Sequence, residues 1–295
     1  MKVINITNQK GGIGKGTIAT NLAYGLSVIG KNILLIEGDE QGDSSSIVLK
    51  EGTIISEKEI DNIEEEIKNS SFFNALNKCL IPSQIKLDYG DVLCNPEKIN
   101  DAIISTEYER IDVLPATIRS TEASVAQRLM ADVTRSPIHR MKEALTYIPE
   151  GKYDYVIIDN KPLQGYIVTN NLVASNLNII PVKVDRGSIK GFMATIKNML
   201  ALEKNNNLNF EFKVLFTMVN RNNSEKFITE LFRTNIPDFV YETEINYQAK
   251  PLANCSLENK ILLENNMNTK VEQRYQSFVD EFCRDEGIAG SIKVE

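Results

Sequence analysis

The chain opens on an alternating, β-branched run, Lys2-Val3-Ile4-Asn5-Ile6, which predicts a buried strand. Behind it Ala19, Leu22, Ala23 and Leu26 recur at helical spacing and predict a helix from Ile18 to Ile29. Gly30 breaks that pattern, and Lys31 to Ile36 (Lys-Asn-Ile-Leu-Leu-Ile), whose last four residues are continuously apolar, reads as a parallel strand covered on both faces. After residue 110 the alternation resumes. Arg110 to Pro115 predicts a strand, Ser120 to Ala131 and Pro137 to Tyr147 two helices, and Tyr153 to Asp159 an apolar strand ending in aspartate. Asn178 to Val184, Lys213 to Asn220 and the short Pro237 to Tyr241 are further strand candidates, with a helix from Ser188 to Leu202. Tyr275, Phe278, Val279 and Phe282 mark a closing helix. Strands alternating with helices predict a doubly wound α/β fold around a mainly parallel sheet.

Residues 44–110 interrupt this rhythm. Ser44-Ser45-Ser46 is suited to capping a short helix, and Glu57 to Lys68 is a charged helix with Ile60, Ile63 and Ile67 on one side. Phe72, Phe73, Leu76 and Leu80 also repeat helically, and these apolar positions are expected to make core contacts. The stretch holds roughly twice as many acidic as basic residues, which makes it a poor nucleic-acid face.

Composition narrows the class without choosing the chemistry. The 295 residues, 42% hydrophobic and 25% charged, suit a soluble globular protein, and a single domain over 1–295 with a variable helical excursion at about 44–110 is expected. A formal net charge of -7 does not advertise a nucleic-acid binder, although it is silent about a local patch. Cys79, Cys94, Cys255 and Cys283 form no C-x-x-C pair, so neither a zinc site nor a disulfide framework is indicated, and a reducing cytosol fits. His139, the only histidine, has no ligating partner and is expected at the surface. No export signal or membrane helix is expected either.

The chemistry lies between the first strand and the first helix, in Lys10-Gly11-Gly12-Ile13-Gly14-Lys15-Gly16-Thr17. Glycines let a backbone approach a phosphate closely, the N–H groups at a helix start converge on an anion, and Lys15 adds a point charge for β and γ phosphates. The ordinary pattern G-x-x-x-x-G-K-[ST] fails at both ends, with Gln9 in place of the first glycine and Gly16 in place of the hydroxyl. The second strand ends in Glu37-Gly38-Asp39-Glu40-Gln41-Gly42-Asp43, where Glu37, Asp39 and Gln41 share one face if strand geometry persists. Asp159 has the Walker B arrangement, a carboxylate at the end of an apolar strand that holds magnesium.

With these residues in view, the chain resembles the ParA/MinD-type ATPases, the deviant Walker A family, whose usual string is KGG(V/I)GKTT. The resemblance covers roughly residues 1–50 and 110–285. It implies ATP and magnesium as cofactors, bound through Gly11, Gly12, Ile13, Gly14, Lys15, Gly16 and Thr17. Lys10 would reach the partner's phosphates across a nucleotide-sandwich homodimer, as an arginine finger does. Asp39, in E-G-D-E-Q-G against the family's D-x-D-P-Q-G, matches the residue that orients the hydrolytic water, and Glu37 replaces a carboxylate near the metal. Asp159 would hold the metal, although Asn160 and Lys161 replace the threonine and first proline that follow it in the family. Lys161 is compatible with a charge role at the γ-phosphate or with solvent. Asn220 and Arg221 would approach the adenine base, and Glu242 to Pro251 would close over the nucleotide.

The implied function is a ParA-like ATPase of plasmid or chromosome partition, of the small type without an N-terminal DNA-binding domain. It would be cytoplasmic, nucleoid-associated when on non-specific DNA, and triggered by a centromere-binding adaptor protein. MinD-type proteins end in a basic amphipathic membrane anchor; Asp280, Glu281, Asp285 and Glu286 make this closing helix acidic, so no membrane contact is expected. Lys183, Arg186, Lys190, Lys197, Lys204, Lys213, Arg221, Lys226 and Arg233 read equally as a DNA face or as a solvated surface. Gly16 withholds the usual magnesium-ligating hydroxyl, so slow hydrolysis is expected and Gly16→Thr should speed it. A degenerate, non-hydrolysing nucleotide switch is the alternative. An electron carrier of the nitrogenase-reductase kind would need cluster cysteines in glycine-rich loops, which Cys94 does not offer.

Overall fold

The computed structural model describes residues 1–50, 57–79, 81–82, 84–220, 222–265 and 268–290. Its strands are β1 (Lys2–Ile6), β2 (Ile33–Glu37), β3 (Ile104–Ser105), β4 (Ile111–Leu114), β5 (Tyr155–Asp159), β6 (Leu177–Val182), β7 (Phe212–Val219) and β8 (Val240–Asn246). They form one eight-stranded sheet in the order β3-β4-β2-β5-β1-β6-β7-β8. All neighbours pair in parallel except β3 with β4.

The helices are α1 (Lys15–Val28), α2 (Asp43–Val48), α3 (Glu57–Asn69), α4 (Phe72–Cys79), α5 (Tyr89–Cys94), α6 (Ile99–Ala102) and α7 (Glu122–Ala131), followed by α8 (Arg140–Thr146), α9 (Tyr166–Ala174), α10 (Arg186–Asn206), α11 (Asn223–Asn235), α12 (Ala249–Leu257) and α13 (Lys270–Asp285). Strand alternation sorts the apolar side chains onto two faces. Ile4, Ile6, Ile33, Leu35 and Ile157 pack with α1 and α13, through Ile18, Leu22, Leu26, Phe278 and Phe282. Val3, Leu34, Ile36, Val156 and Ile158 point the other way, onto residues of α5 to α9. Farther along that second face Ile180, Val182, Val214 and Phe216 pack against α9, α10 and α11. This is the doubly wound, mainly parallel fold of P-loop nucleotide-binding proteins.

The strand order creates the site. From β1 the chain runs outward through β2 to β4, returns to insert β5 between β2 and β1, and then builds β6, β7 and β8 on the other side. Connections leaving β1 and β5 therefore diverge, opening a crevice at the carboxyl ends of the strands. Register makes those ends flush: Ile6 pairs with Asp159, and Glu37 pairs with Asp159 from the other side.

Two expectations fail here. Pro237–Phe239 is a 3-10 turn and the strand is β8 beyond it, because proline offers no N–H to a ladder and suits the first position of a helical turn. The apolar stripe of residues 57–79 does not enter the core: Ile63 is buried, but Ile60 is 46%, Phe72 54% and Phe73 74% exposed. α3 and α4 pack on each other instead of on the sheet, so their periodicity reports a helical hairpin. Leu80 lies outside the described residues. No helix among the described residues is long and apolar enough to cross a membrane.

Candidate functional site

The loop after β1 is tied down at its entrance. Thr7 donates its N–H to the Ile179 carbonyl at 3.0 Å, and the Asn8 side chain donates to the Pro181 carbonyl at 2.7 Å while accepting from Lys10 N at 2.9 Å. Gly12 (φ 69°) and Gly14 (φ 85°) take left-handed backbone that disfavours side chains, and a Cβ at Gly12 would meet nothing within 4 Å. The loop is thus an open cradle. No side chain caps α1, so the first N–H groups of this 14-residue helix remain directed at whatever the cradle holds.

A cavity of about 580 Å³ lies over this cradle. Gly11, Gly12, Gly14, Lys15, Gly16, Thr17, Glu37, Asp39, Ser44 and Asp159 line it. Lys15 is only 8% exposed, with its ammonium donating to the Lys10 carbonyl at 3.2 Å. Burial lowers its pKa, while Asp159 and then Asp39 pull it back up. Ile13 is buried and is not among the cavity-lining residues; its carbonyl accepts from Thr217 Oγ1 at 3.2 Å. Lys10 is exposed, and its Cε lies 3.5 Å from where a Cβ on Gly187 of α10 would stand.

The second strand does not continue past Glu37, so Asp39 and Gln41 leave its face and sit in a turn closed by Gly42 N to the Asp39 carbonyl. Burial raises the Asp39 pKa, against the Gln41 N–H that its carboxylate accepts. Glu37 is fully buried and its oxygens are already used. Oε2 accepts from the N–H of Ser44 at 2.8 Å and of Ser45 at 3.1 Å, and Oε1 from Asp39 N at 3.2 Å. Burial, then the Asp159 charge, pushes its pKa well up, opposed by those backbone donors. Its geometry is that of a peg holding the start of α2.

Asp159 is 5% exposed, with its pKa pushed up to about 6 by burial against the opposing hydrogen bond from Ser44 and charge of Lys15. Ser44 Oγ donates to its Oδ2 at 2.6 Å, whereas Oδ1 is buried without a hydrogen-bond partner. A buried acceptor left unpaired costs about 1–3 kcal/mol, so Oδ1 is an orphan that a cation would satisfy. In the metal-free protein this raised pKa has a measurable sign. Between about pH 4 and 6 the folded Asp159 binds a proton that the unfolded chain has released, so stability should fall as pH rises through that window. Asp159→Asn should remove the share of that fall that belongs to Asp159, leaving the shares of Glu37 and Asp39, whose pKa values burial also raises. Melting curves in EDTA from pH 4 to 7 check it, and a wild-type-to-variant difference that stays constant with pH contradicts it.

Other predicted residues lie elsewhere. Lys161 serves neither solvent nor the cradle: it is 3% exposed and pairs with Glu122 at 3.0 Å and Glu40 at 3.4 Å, tying the turn after β2 to α7. Asn160 joins a buried amide chain, donating to the Asn5 side chain and accepting from Asn171 at 2.7 Å, which fixes the end of β5 to β1 and α9. Asn220 is not among the cavity-lining residues; its N–H donates to Glu225 at 2.7 Å. Arg221 lies outside the described residues. Nor is Glu242 to Pro251 a closing loop, since its first half belongs to β8 and its end to α12. The far wall comes instead from Leu252, Cys255, Asn259, Lys260 and Leu262, which sequence reading missed because nothing in those residues names a ligand. His139 precedes α8 and bonds Ser136 Oγ at 2.8 Å through Nδ1. Among the described residues no three His, Cys, Asp or Glu side chains converge as a metal cluster.

Gly16 brings the sharpest correction. A Cβ there would stand 2.8 Å from Ser44 Oγ and 2.9 Å from Asp159 Oδ2, closer than real Cβ contacts. The space that Gly16→Thr was expected to fill is taken, and the expected gain in rate does not follow.

Comparison with known proteins identifies relatives of this chain. The model of an AAA domain family matches residues 1–214. The chain is 31% identical over 246 residues to the sporulation initiation inhibitor protein Soj of Bacillus subtilis, covering 83% of each chain. It is 27% identical over 250 residues to the chromosome partitioning protein ParA of Caulobacter vibrioides, covering 83% of this chain and 80% of that one. Among solved structures, cobyrinic acid a,c-diamide synthase from Mycobacterium smegmatis with bound ATP analog and magnesium superposes with a TM-score of 0.67. That match spans 100% of this chain and 99% of the other at 20% identity, a likeness of fold alone.

Proposed function

The chain belongs to the ParA/MinD-type family of P-loop ATPases, and from that premise we propose that it binds ATP with magnesium, hydrolyses it, and closes as a nucleotide-sandwich homodimer in plasmid or chromosome partition. The observation that carries this reading is the meeting of Lys15, Asp39 and Asp159 under an open glycine cradle at the switch point of the sheet. The residues fit the absent groups. Gly12 and Gly14 leave room for phosphate, and Asp159 Oδ1 is a hard-oxygen acceptor awaiting a cation. Bound magnesium would neutralise charge developing on the phosphate oxygens. Lys15 would hold the phosphates, Asp39 would orient the attacking water, and exposed Lys10 would reach a second copy's nucleotide. Glu37 acts here by positioning α2. Gly16 taken alone argues for slow turnover.

DNA as a partner is favoured by α10. Arg186, Lys190, Lys197 and Lys204 are exposed and recur with Met193 and Leu200 at spacings of three and four, so they form one stripe along the helix. Other basic residues of the region are engaged: Lys183 with Asp185, Lys213 with Asp285 and Arg233 with Glu244. Lys190→Ala and Lys197→Ala together should weaken binding to duplex DNA without sequence preference and lower the slope of log K against log salt by about two. An unchanged slope in a fluorescence anisotropy titration would remove α10 from the DNA face.

The test of the whole reading is phosphate release from ATP at fixed magnesium, with and without non-specific duplex DNA. DNA-stimulated turnover is expected. ATP binding without turnover above background would favour the non-hydrolysing switch instead.

A further inference from the structure

We infer that Ser44 supplies the divalent cation of this site with the hydroxyl ligand that Gly16 cannot, an assignment that rests on the magnesium-nucleotide reading above. Three observations converge on Ser44 Oγ. It stands 2.8 Å from the position a Cβ on Gly16 would take, so it occupies the volume that a side chain at 16 would enter. It donates its proton to Asp159 Oδ2 at 2.6 Å, leaving its lone pairs free to accept or to ligate. Beside it Asp159 Oδ1, on a side chain 5% exposed, is buried and unpartnered, and both residues line the cavity. A hydroxyl and a carboxylate oxygen are the hard donors magnesium takes, with phosphate and water completing an octahedron.

The hydroxyl is held in place. Glu37 Oε2 accepts the Ser44 N–H at 2.8 Å, and Ser44 is 0% exposed. Gly16 and Ser44 are therefore complementary in size: a side chain at 16 must displace the Ser44 hydroxyl from Asp159. The loop's missing hydroxyl is relocated to α2, and slow turnover does not follow from Gly16.

The test measures Kd for a fluorescent ATP analogue in EDTA and across a magnesium titration, for wild type, Ser44→Ala, Gly16→Thr and the double variant. Melting curves without nucleotide confirm that each variant folds. In wild type magnesium should tighten binding. Ser44→Ala should lose that magnesium-dependent tightening by about 10- to 100-fold, on the scale of a disrupted metal site. Gly16→Thr alone should weaken it as well, since the new Cβ crowds Ser44 and Asp159. The double variant should recover part of it relative to either single variant, because losing the Ser44 hydroxyl relieves the 2.8 Å contact and threonine brings a hydroxyl, while the 2.9 Å approach to Asp159 Oδ2 remains. A wild-type magnesium response in Ser44→Ala, or a stronger response in Gly16→Thr alone, overturns the assignment to Ser44 and leaves the nucleotide reading standing. Wild-type protein that binds no nucleotide in either buffer overturns the nucleotide reading and this inference with it.

Discussion

Replacing Lys15 by alanine is expected to lower phosphate release at saturating ATP by about 100- to 1000-fold, the range seen when one preorganised donor to developing charge is removed. The reason is the company this ammonium keeps. It is 8% exposed and shares the cavity with Asp159 and Asp39, both of which raise its pKa against the burial that lowers it. Without it, the cation left among the cavity-lining residues is Lys260, on the far wall and paired with Glu258 at 2.9 Å, so the carboxylates face bound phosphate with little to offset them. Like-charge repulsion in a low-dielectric pocket would then oppose the substrate, so analogue affinity should fall as well. Single-turnover phosphate release and analogue binding measured together separate the two effects. A loss smaller than threefold in both would remove Lys15 from the phosphate site.

The second large effect concerns folding. Phe278→Ala should destabilise the protein by about 3–5 kcal/mol, the usual cost of emptying a buried aromatic site. Phe278 is 0% exposed, and its ring meets Tyr241 edge-on with centroids 5.3 Å apart. It lies on α13, whose Tyr275 hydroxyl is 3.9 Å from where a Cβ on Gly14 would stand, so this core also backs the phosphate loop. Typical domains are stable by about 5–15 kcal/mol, and the loss should lower the melting temperature by roughly 6–20 °C. Phe73→Ala is the matched control. At 74% exposure it should change stability by less than about 0.5 kcal/mol. Equal losses in the two variants would contradict the packing described here.

That pair also shows where sequence reasoning succeeds. Phe278 and Phe73 both sit on helical apolar stripes; periodicity marked a closing helix at Phe278 and led to core contacts being expected at Phe73. A stripe proves that a helix has an apolar face; it does not say what covers it. For α13 the cover is the sheet, whereas among the described residues α3 and α4 pack chiefly on each other. Composition could not distinguish them, because the contacts that do so join residues far apart in the chain.

Local chemistry was legible in the order of the residues. Strand-turn-helix periodicity and glycines at 11, 12 and 14 specify a phosphate cradle, because backbone freedom and helix starts are properties of neighbouring residues. The parallel α/β fold and the candidacy of Lys15, Asp39 and Asp159 were legible for the same reason. Which atoms meet depends on the packing of distant elements. Insertion of β5 between β1 and β2 brings Asp159 flush with Glu37 and Ile6. It turns Glu37 from a candidate ligand into the peg of α2, and sets Ser44, 28 residues beyond Gly16 in the sequence, in the space beside that glycine. It sends Lys161 to Glu122, and supplies a far wall from residues 252–262. A missing hydroxyl is visible in one dimension, but whether another occupies its place depends on how distant strands and helices pack, which no local pattern records.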